Sequence, residues 1–481
     1  MRALDQVAID EMGMDAYELM QRAGERVFQC LRARWPEARS LTVCCGPGNN
    51  GGDGWVVARL ALASGWKVQV LTLQSPDALT GAAEQAYRDY IKDSSADPNF
   101  EWVDQAIEGE VVVDALLGTG LTRAVAEPMA SLIERINQCP SPVISVDLPS
   151  GLLADTGRAP GAVVKADMTV TFIGLKRGLF TGQAGRYVGQ LVFVTLDVPQ
   201  AVYASQSPDA RLISSHGLSQ ALPKRAVDHH KGNSGRVLVV GGDKGMLGAP
   251  ILAGLGALQA GAGWVELVGQ EALVAGALAA SPALMAHGYY DKDWLIHKLE
   301  SADVVALGPG LGQSEWSEVL YATTLAEANR LVLDADGLNW LAKEPTTRSD
   351  WVLTPHPGEA ARLLQTEIAT VERDRFEAVC ELAERYQAVV VLKGYGSLIA
   401  EPSGSVAVCD RGTPAMATAG MGDALTGVIA SLWAQGMSAF DAARYGVWIH
   451  AVAGETAARG KRQILAPELI DQISHVMNIS N

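Results

Sequence analysis

Gly46-Pro47-Gly48-Asn49-Asn50-Gly51-Gly52-Asp53-Gly54 follows the apolar run Leu41-Thr42-Val43-Cys44-Cys45 and precedes Trp55-Val56-Val57-Ala58-Arg59-Leu60-Ala61. A short apolar run, a glycine turn and a helical pattern in succession read as strand, loop and helix, the unit from which parallel α/β sheets are built. Gly46, Gly48 and Gly51 formally satisfy G-x-G-x-x-G, the loop that cradles a dinucleotide pyrophosphate at a helix N-terminus. Such a loop also wants an acid at the end of the next strand to hold a ribose. That strand, Val68-Gln69-Val70-Leu71-Thr72-Leu73, runs into Gln74. An ordinary NAD-binding reading fails there, and it leaves Asn49, Asn50 and Asp53 without a purpose.

Outward from this loop, strand patterns at 41–45, 68–73, 111–114, 143–147, 169–173 and 191–195 alternate with helical patterns such as 16–34, 52–64, 80–93 and 126–138. Alternation of this kind predicts a mostly parallel sheet covered on both faces. Residues 198–212, rich in Pro, Ser and Gln without a period, read as a linker. A second α/β series follows, with strands at 236–241, 264–268, 303–307, 330–333, 351–353, 388–393 and 397–400. Its helices are expected at 248–262, 315–328, 358–366, 370–386, 422–436 and 439–458. The expected fold is α/β in two domains, residues 1–205 as an N-terminal Rossmann-like three-layer domain and 206–481 as the second.

The net charge of −16 argues against a general nucleic-acid or anionic-membrane partner. It leaves room for a small anion, because backbone dipoles bind one locally. Six cysteines without a CxxC spacing read as reduced thiols of a cytoplasmic protein. The opening MRALDQVAIDEMGMD has early acids and no apolar core of a secretory signal. The most apolar stretches are 247–281, which Gln259 and Glu266 interrupt, and 424–436, which is too short to span a bilayer. Their Ala/Gly-rich helices suit self-association into a homo-oligomer.

Two further strand ends carry polar groups: Val111-Val112-Val113-Asp114 before Ala115-Leu116-Leu117-Gly118-Thr119-Gly120, and Val143-Ile144-Ser145-Val146-Asp147 before Leu148-Pro149-Ser150-Gly151. Parallel strands deliver their C-terminal ends to one edge of the sheet, so Asn50, Asp114, Asp147 and Ser150 could converge. An amide, a carboxylate and a hydroxyl or carbonyl suit a hard cation. The competing reading is that each Asp caps a turn or helix.

NNGGDG, VDALLGTGL and VDLPSG, with Glu18-Leu19-Met20-x-x-Ala23-Gly24 and Thr171-Phe172-x-x-x-Lys176, resemble the NAD(P)HX epimerase domain, the YjeF N-terminal domain, over residues 1–195. The resemblance implies a K⁺ site at Asn50, Asp114 and Ser150. It also implies a hydrated nicotinamide nucleotide held by Asn49, Asn50, Gly51, Gly52 and Asp53, by Gly118, Thr119, Gly120, Leu121, Thr122, Arg123 and Ala124, and by Asp147. The glycine amides at the start of the helix suit the pyrophosphate, and Asp147 is the best-placed carboxylate for proton transfer.

The second domain's densest signal is Arg411-Gly412-Thr413-Pro414-Ala415-Met416-Ala417-Thr418-Ala419-Gly420-Met421-Gly422-Asp423 before an apolar helix. Bare amides at a helix N-terminus form an anion hole, and an Asp on the first turn can take a proton from an accepting hydroxyl. No GxxxxGK[ST] occurs, which disfavours a P-loop enzyme. Leu392-Lys393-Gly394-Tyr395-Gly396-Ser397 suits a nucleotide phosphate. Gly308-Pro309-Gly310-Leu311-Gly312 is another strand-end glycine turn, and Thr354-Pro355-His356-Pro357-Gly358-Glu359 frames a histidine rigidly.

With Lys231-Gly232-x-x-Gly235, Gly241-Gly242 through Gly248-Ala249, and LDADGLN, these motifs resemble the ADP/ATP-dependent NAD(P)HX dehydratase over residues 225–481, a ribokinase-like fold. Carried over, Lys393, Gly394, Tyr395, Gly396, Ser397 and Gly422 bind the adenine nucleotide. Ala249, Gly312, His356 and Asp423 hold the hydrated nicotinamide, with Asp423 as base. Thr413, Ala415, Ala419 and Met421 depart from the family's Asn-Pro-Gly-Met-Ala-Thr-Gly-Gly-Thr-Gly-Asp, but Ala419 and Met421 keep their backbone N–H groups.

The expected protein is a bifunctional isomerase and lyase that repairs NADH and NADPH hydrated at the ring. Its co-substrate is ADP, as in the fused bacterial members, with ATP as the alternative, and Mg²⁺ accompanies the nucleotide. The rival is a ribokinase-like small-alcohol or vitamin kinase fused to a non-catalytic nucleotide-binding or scaffold domain.

Overall fold

The structure is a computed structural model and describes residues 2–73, 75–94, 100–102, 106–222 and 224–479. Gln74, on which the ribose argument turned, lies outside the described residues. The chain divides into two units, Met1–Pro208 and Asp209–Asn481.

In the first unit the glycine loop joins β1 (Ser40–Cys45) to the helix Asn49–Ala63. The remaining strands are β2 (Lys67–Thr72), β3 (Phe100–Trp102), β4 (Val111–Ala115), β5 (Val143–Val146), β6 (Met168–Phe172) and β7 (Gln190–Val194). They form one sheet in the order β3-β2-β1-β4-β5-β6-β7, and each neighbouring pair is parallel. Alternate residues feed opposite cores. Val111 and Val113 pack with Val27, Val57 and Phe28 on one face, while Val112 packs with Leu132, Ile133 and Ile136 on the other. Burial on both faces is why these strands read as unbroken apolar runs.

The second unit carries β8 (Arg211–Leu212), β9 (Arg236–Val240), β10 (Trp264–Gly269), β11 (Met285–Gly288), β12 (Val304–Leu307), β13 (Leu331–Leu333), β14 (Trp351–Leu353), β15 (Val389–Leu392), β16 (Ser397–Ala400) and β17 (Val406–Cys409). Their order is β11-β10-β9-β12-β13-β14-β15-β16-β17-β8. The ladder is parallel from β11 to β15, and β16 and β17 turn back antiparallel.

The stretch expected as a linker holds a short helix, Gln200–Ala204, and β8, which pairs with β17. A two-residue strand held by backbone bonds leaves no period to read. β3 and β11 escaped notice for the same reason, being short elements at sheet edges. All six cysteines are free thiols. Among the described residues no helix is long and apolar enough to cross a membrane.

Candidate active sites at the strand ends of each unit

The glycines of the first loop are needed because backbones meet there. A Cβ on Gly46 would lie 1.8 Å from the Leu116 carbonyl oxygen, and one on Gly51 would lie 1.9 Å from that of Gly46. Gly46 N–H also donates to the Ala115 carbonyl. The loop is thus drawn over the end of β4, which brings Asn50 beside Gly118. Gly48 is the N-cap of the helix and offers no side chain, so the amides of the first turn are left for a ligand. Residues 120 and 122–124 of the following loop are exposed.

Asp114 is fully buried. Its carboxylate accepts from Ser150 Oγ (2.5 Å), Ser150 N (2.9 Å), Ser145 Oγ (2.8 Å) and Leu116 N (3.3 Å). Ser150 Oγ in turn accepts from Leu117 N at 2.8 Å. Burial pushes the Asp114 carboxyl above its ordinary range, against these four bonds, and among the described residues no ammonium or guanidinium is a hydrogen-bond partner of it. Asn50 Nδ2 is buried and has no hydrogen-bond partner among the described residues. A buried carboxylate lacking a counter-charge, with the side-chain oxygens of Asn50 and Ser150 as further hard ligands, fits a monovalent cation, whereas the orphaned Asn50 Nδ2 is a donor and suits an acceptor atom on a ligand.

Asp147 follows β5 in the left-handed region (φ 66°). Its Oδ1 takes a short bond from Lys176 Nζ and longer ones from Thr171 Oγ1 (3.2 Å) and Phe172 N (3.3 Å). Lys176 is 4% exposed and also donates to Thr171 Oγ1 and the Phe172 carbonyl. Asp53 faces the same cluster. Burial first, then the charges of Asp147 and Asp5, hold its carboxyl well above the usual range, opposed by Lys176. Asp5, also raised by burial, completes a group of three carboxyls around one lysine. Lys176 was quoted in a motif without a role, and Asp5 gave no signal beyond being one of the early acids.

In the second unit, glycine turns after β9 and β12 interlock: a Cβ on Gly241 would lie 2.0 Å from the Pro309 carbonyl oxygen, and one on Gly310 would lie 3.2 Å from Ala249 Cβ. Ala249 and Gly312 therefore line one turn cluster, with Gly312 N–H donated to Asp336 at 2.9 Å. Strand ends β13, β14 and β15 deliver Asp334, His356 and Lys393. Lys393 Nζ donates to Asp334 Oδ1 at 2.7 Å and lies 3.9 Å from Glu359 Oε2. Thr426 Oγ1 donates to Asp334 Oδ2 at 2.8 Å. Burial would raise the Asp334 carboxyl, but Lys393 and the Lys393, Thr426 and Thr354 bonds hold it below its ordinary value.

The loop 411–420 ends at Gly420, whose φ of 90° only glycine takes readily, and which N-caps the helix Met421–Ala434. Ala419 and Met421 are not in the left-handed region, so those departures cost no backbone strain. A Cβ on Gly422 would lie 3.4 Å from Lys393 Nζ and 3.7 Å from Asp334 Oδ2. Asp423 follows directly, its carboxyl raised to about 6 by burial and by Asp334, against Lys393.

His356 Nδ1 accepts from Gly358 N (2.9 Å) and Glu359 N (3.3 Å), which leaves the ring hydrogen of the neutral imidazole on Nε2. Glu359 accepts from His356 N at 2.8 Å and is raised to about 7, chiefly by burial. Gly394 (φ 143°) and Gly396 (φ 63°) turn the loop after β15, with Tyr395 exposed and Ser397 Oγ donating to the Gly394 carbonyl. Asp334, Glu359 and Thr426 were missed as site residues. Asp334 was findable, since it ends an apolar strand as Asp114 does.

The fold defines a two-unit α/β enzyme with polar clusters at the strand ends of each sheet, the second unit being ribokinase-like. Residues 237–475 match the NAD(P)H-hydrate dehydratase family, and residues 16–178 match the YjeF-related protein N-terminus. The chain is 46% identical to the bifunctional NAD(P)H-hydrate repair enzyme Nnr of Coxiella burnetii, over 99% of this chain and 98% of that one. It is 43% identical to the enzyme of the same name from Escherichia coli, over 98% of this chain and 91% of that one. The ADP/ATP-dependent NAD(P)H-hydrate dehydratase from Bacillus subtilis, co-crystallized with ATP/Mg²⁺, superposes with a TM-score of 0.52 at 28% identity, over 57% of this chain and 100% of that one. The chain belongs to the bifunctional NAD(P)H-hydrate repair enzymes.

Proposed function

We propose that the first unit interconverts the R and S epimers of hydrated NADH and NADPH at C6, and that the second dehydrates the S epimer with ADP or ATP. The pairing has a chemical logic: dehydration of one epimer alone would strand the other.

In the first unit, Asn49–Asp53 and Gly118–Ala124 bind the hydrated nucleotide, the amides at the helix start taking its pyrophosphate. Asp147, oriented by Lys176, moves the proton, a role worth about 10²–10⁴-fold for a positioned group. Potassium held by Asn50, Asp114 and Ser150 supplies the missing counter-charge to the buried carboxylate.

In the second unit, Lys393–Ser397 and Gly422 bind the adenine nucleotide, and Ala249, Gly312 and His356 hold the hydrated ring. Asp423 takes the proton of the C6 hydroxyl, whose oxygen attacks the terminal phosphoryl group, and AMP leaves from ADP or ADP from ATP. Phosphate then departs from C6, C5 gives up a proton, and the C5=C6 double bond of NAD(P)H forms. We take ADP as the preferred donor and Mg²⁺ as its companion. The same reading takes the chain to act in the cytoplasm as a homo-oligomer, without nucleic-acid or membrane partners, in keeping with its charge of −16 and its free thiols.

The observation that carries this reading is Asp423, with its raised carboxyl, one residue from the bare amide of Gly422 and beside the Lys393–Asp334 pair. The test is recovery of NADH absorbance from purified hydrated NADH with ADP or ATP and K⁺. Wild type restores both epimers and Asp423→Ala restores neither. A stable phosphorylated product instead would move the second unit to a small-alcohol kinase.

A further inference from the structure

We propose that His450 is a positioning residue of the dehydratase: by holding the Met421 carbonyl it aims the Gly422 amide at the transferring phosphoryl group. The inference rests on the dehydratase reading of the second unit. His450 lies within the helix Ala439–Ala457 and is 7% exposed. Its Nε2 is 2.9 Å from the Met421 carbonyl oxygen. A carbonyl only accepts, so Nε2 carries the hydrogen. Burial lowers the imidazole to about 4, with Lys393 adding to the effect and the Met421 bond opposing it. The ring is therefore a neutral donor throughout the working pH range.

The geometry of one peptide group does the rest. In a planar trans peptide the C=O and the following N–H point in opposite directions. Fixing the Met421 oxygen on the His450 side turns the Gly422 N–H the other way, out of the helix N-terminus. A Cβ on Gly422 would come within 3.4 Å of Lys393 Nζ and 3.7 Å of Asp334 Oδ2, which puts this residue at the charged cluster, and Asp423 is next in the chain. Other residues of the same helix grip the rest of the loop. Glu455 accepts from Gly412 N at 2.7 Å and from Arg411 Nε at 3.1 Å. Gly454, one turn beyond His450 on the same face, lets Met416 pass where a Cβ would meet its sulfur at 2.3 Å. The helix Ala439–Ala457 is thus the mould of the phosphoryl-binding loop, and His450 is its contact with the last peptide before Asp423. A buried imidazole within the apolar run Val447–Ala453 costs free energy unless its polar atoms are used.

The experiment compares wild type, His450→Leu and His450→Gln in the full chain, with the epimerase of the same polypeptide as internal control. Removing an oxyanion donor outright costs about 10²–10³-fold, so a misaimed one should cost about 10-fold in dehydratase kcat. His450→Leu is expected to show that loss, with a raised KM for the nucleotide, an unchanged KM for the hydrate and an unchanged epimerase rate. His450→Gln, which can still donate to Met421, should stay within about threefold of wild type. A folded His450→Leu enzyme with wild-type kcat and KM overturns the inference. If the leucine variant fails to fold, a folded glutamine variant that loses about tenfold overturns it instead. A wild-type enzyme that does not dehydrate the hydrate defeats the dehydratase reading itself, a different failure.

Discussion

The Lys393 ammonium lies 2.7 Å from Asp334, a carboxylate only 2% exposed at the end of β13. One cation thereby answers to several anions: Asp334 directly, Glu359 at 3.9 Å, and Asp423 through the field of the site. Asp334 is held ionised below its usual range while Asp423 and Glu359 are pushed up to about 6 and about 7. Neighbouring carboxyls driven apart in this way separate a permanent anion from groups that exchange protons near neutrality.

The dehydratase should therefore lose activity as pH falls through about 6, because Asp423 must be deprotonated to act as base. Burial and the Asp334 charge both raise that carboxyl, so Asp334→Asn should move the acid limb of the kcat profile to lower pH. Initial rates across the acid range would measure it. A limb that stays in place in the variant would mean Asp334 is not what tunes Asp423.

Lys393→Met leaves Asp334 buried without its cation, and breaking such a pair costs about 3 kcal/mol. The folded Asp334 carboxyl is depressed, so its contribution is full above the unfolded value and is lost as pH falls through the folded one. Lys393 is raised, so its contribution is full below the unfolded value and is lost as pH rises through the folded one. Urea unfolding of the second unit should show the loss at neutral pH. Asp334→Asn combined with Lys393→Met should cost less than the sum of the single changes.

Much of both sites is legible in the sequence. Strand ends mark Asp114, Asp147 and Lys393, because apolar runs in parallel sheets stop where the ligand edge begins. The glycine turns at 46–54 and 420–422 are equally visible, since bare backbone has few other uses there. What is not legible depends on tertiary approach. Lys176 reaches Asp147 across 29 residues, and Thr426 reaches Asp334 across 92. His450 sits within the apolar run Val447–Ala453, where a lone histidine carries no local signal. The edge strands β3, β8 and β11 are defined by backbone pairing and not by side-chain pattern.

Gly46→Ala should cripple the epimerase and spare the dehydratase. The new Cβ would fall 1.8 Å from the Leu116 carbonyl oxygen, inside any possible contact, so β1 and β4 must part at the ligand edge. Gly48→Ala is the control, because nothing lies within 4 Å of a Cβ there. The first unit's thermal transition should fall for Gly46→Ala and change little for Gly48→Ala. Equal behaviour of the two variants would refute the packing account of the loop.

Potassium dependence should belong to the epimerase alone. Asp114 is buried with four hydrogen bonds and, among the described residues, no cationic side chain as hydrogen-bond partner. An ion bound there neutralises the carboxylate and stabilises the strand ends that position Asp147 and Ser150. Replacing K⁺ with tetramethylammonium should lower the rate of R-to-S conversion and the first unit's melting temperature together. Dehydration of pure S epimer should continue unchanged. Asn50→Ala should abolish the thermal response to K⁺, and a response that survives that substitution would put the ion elsewhere.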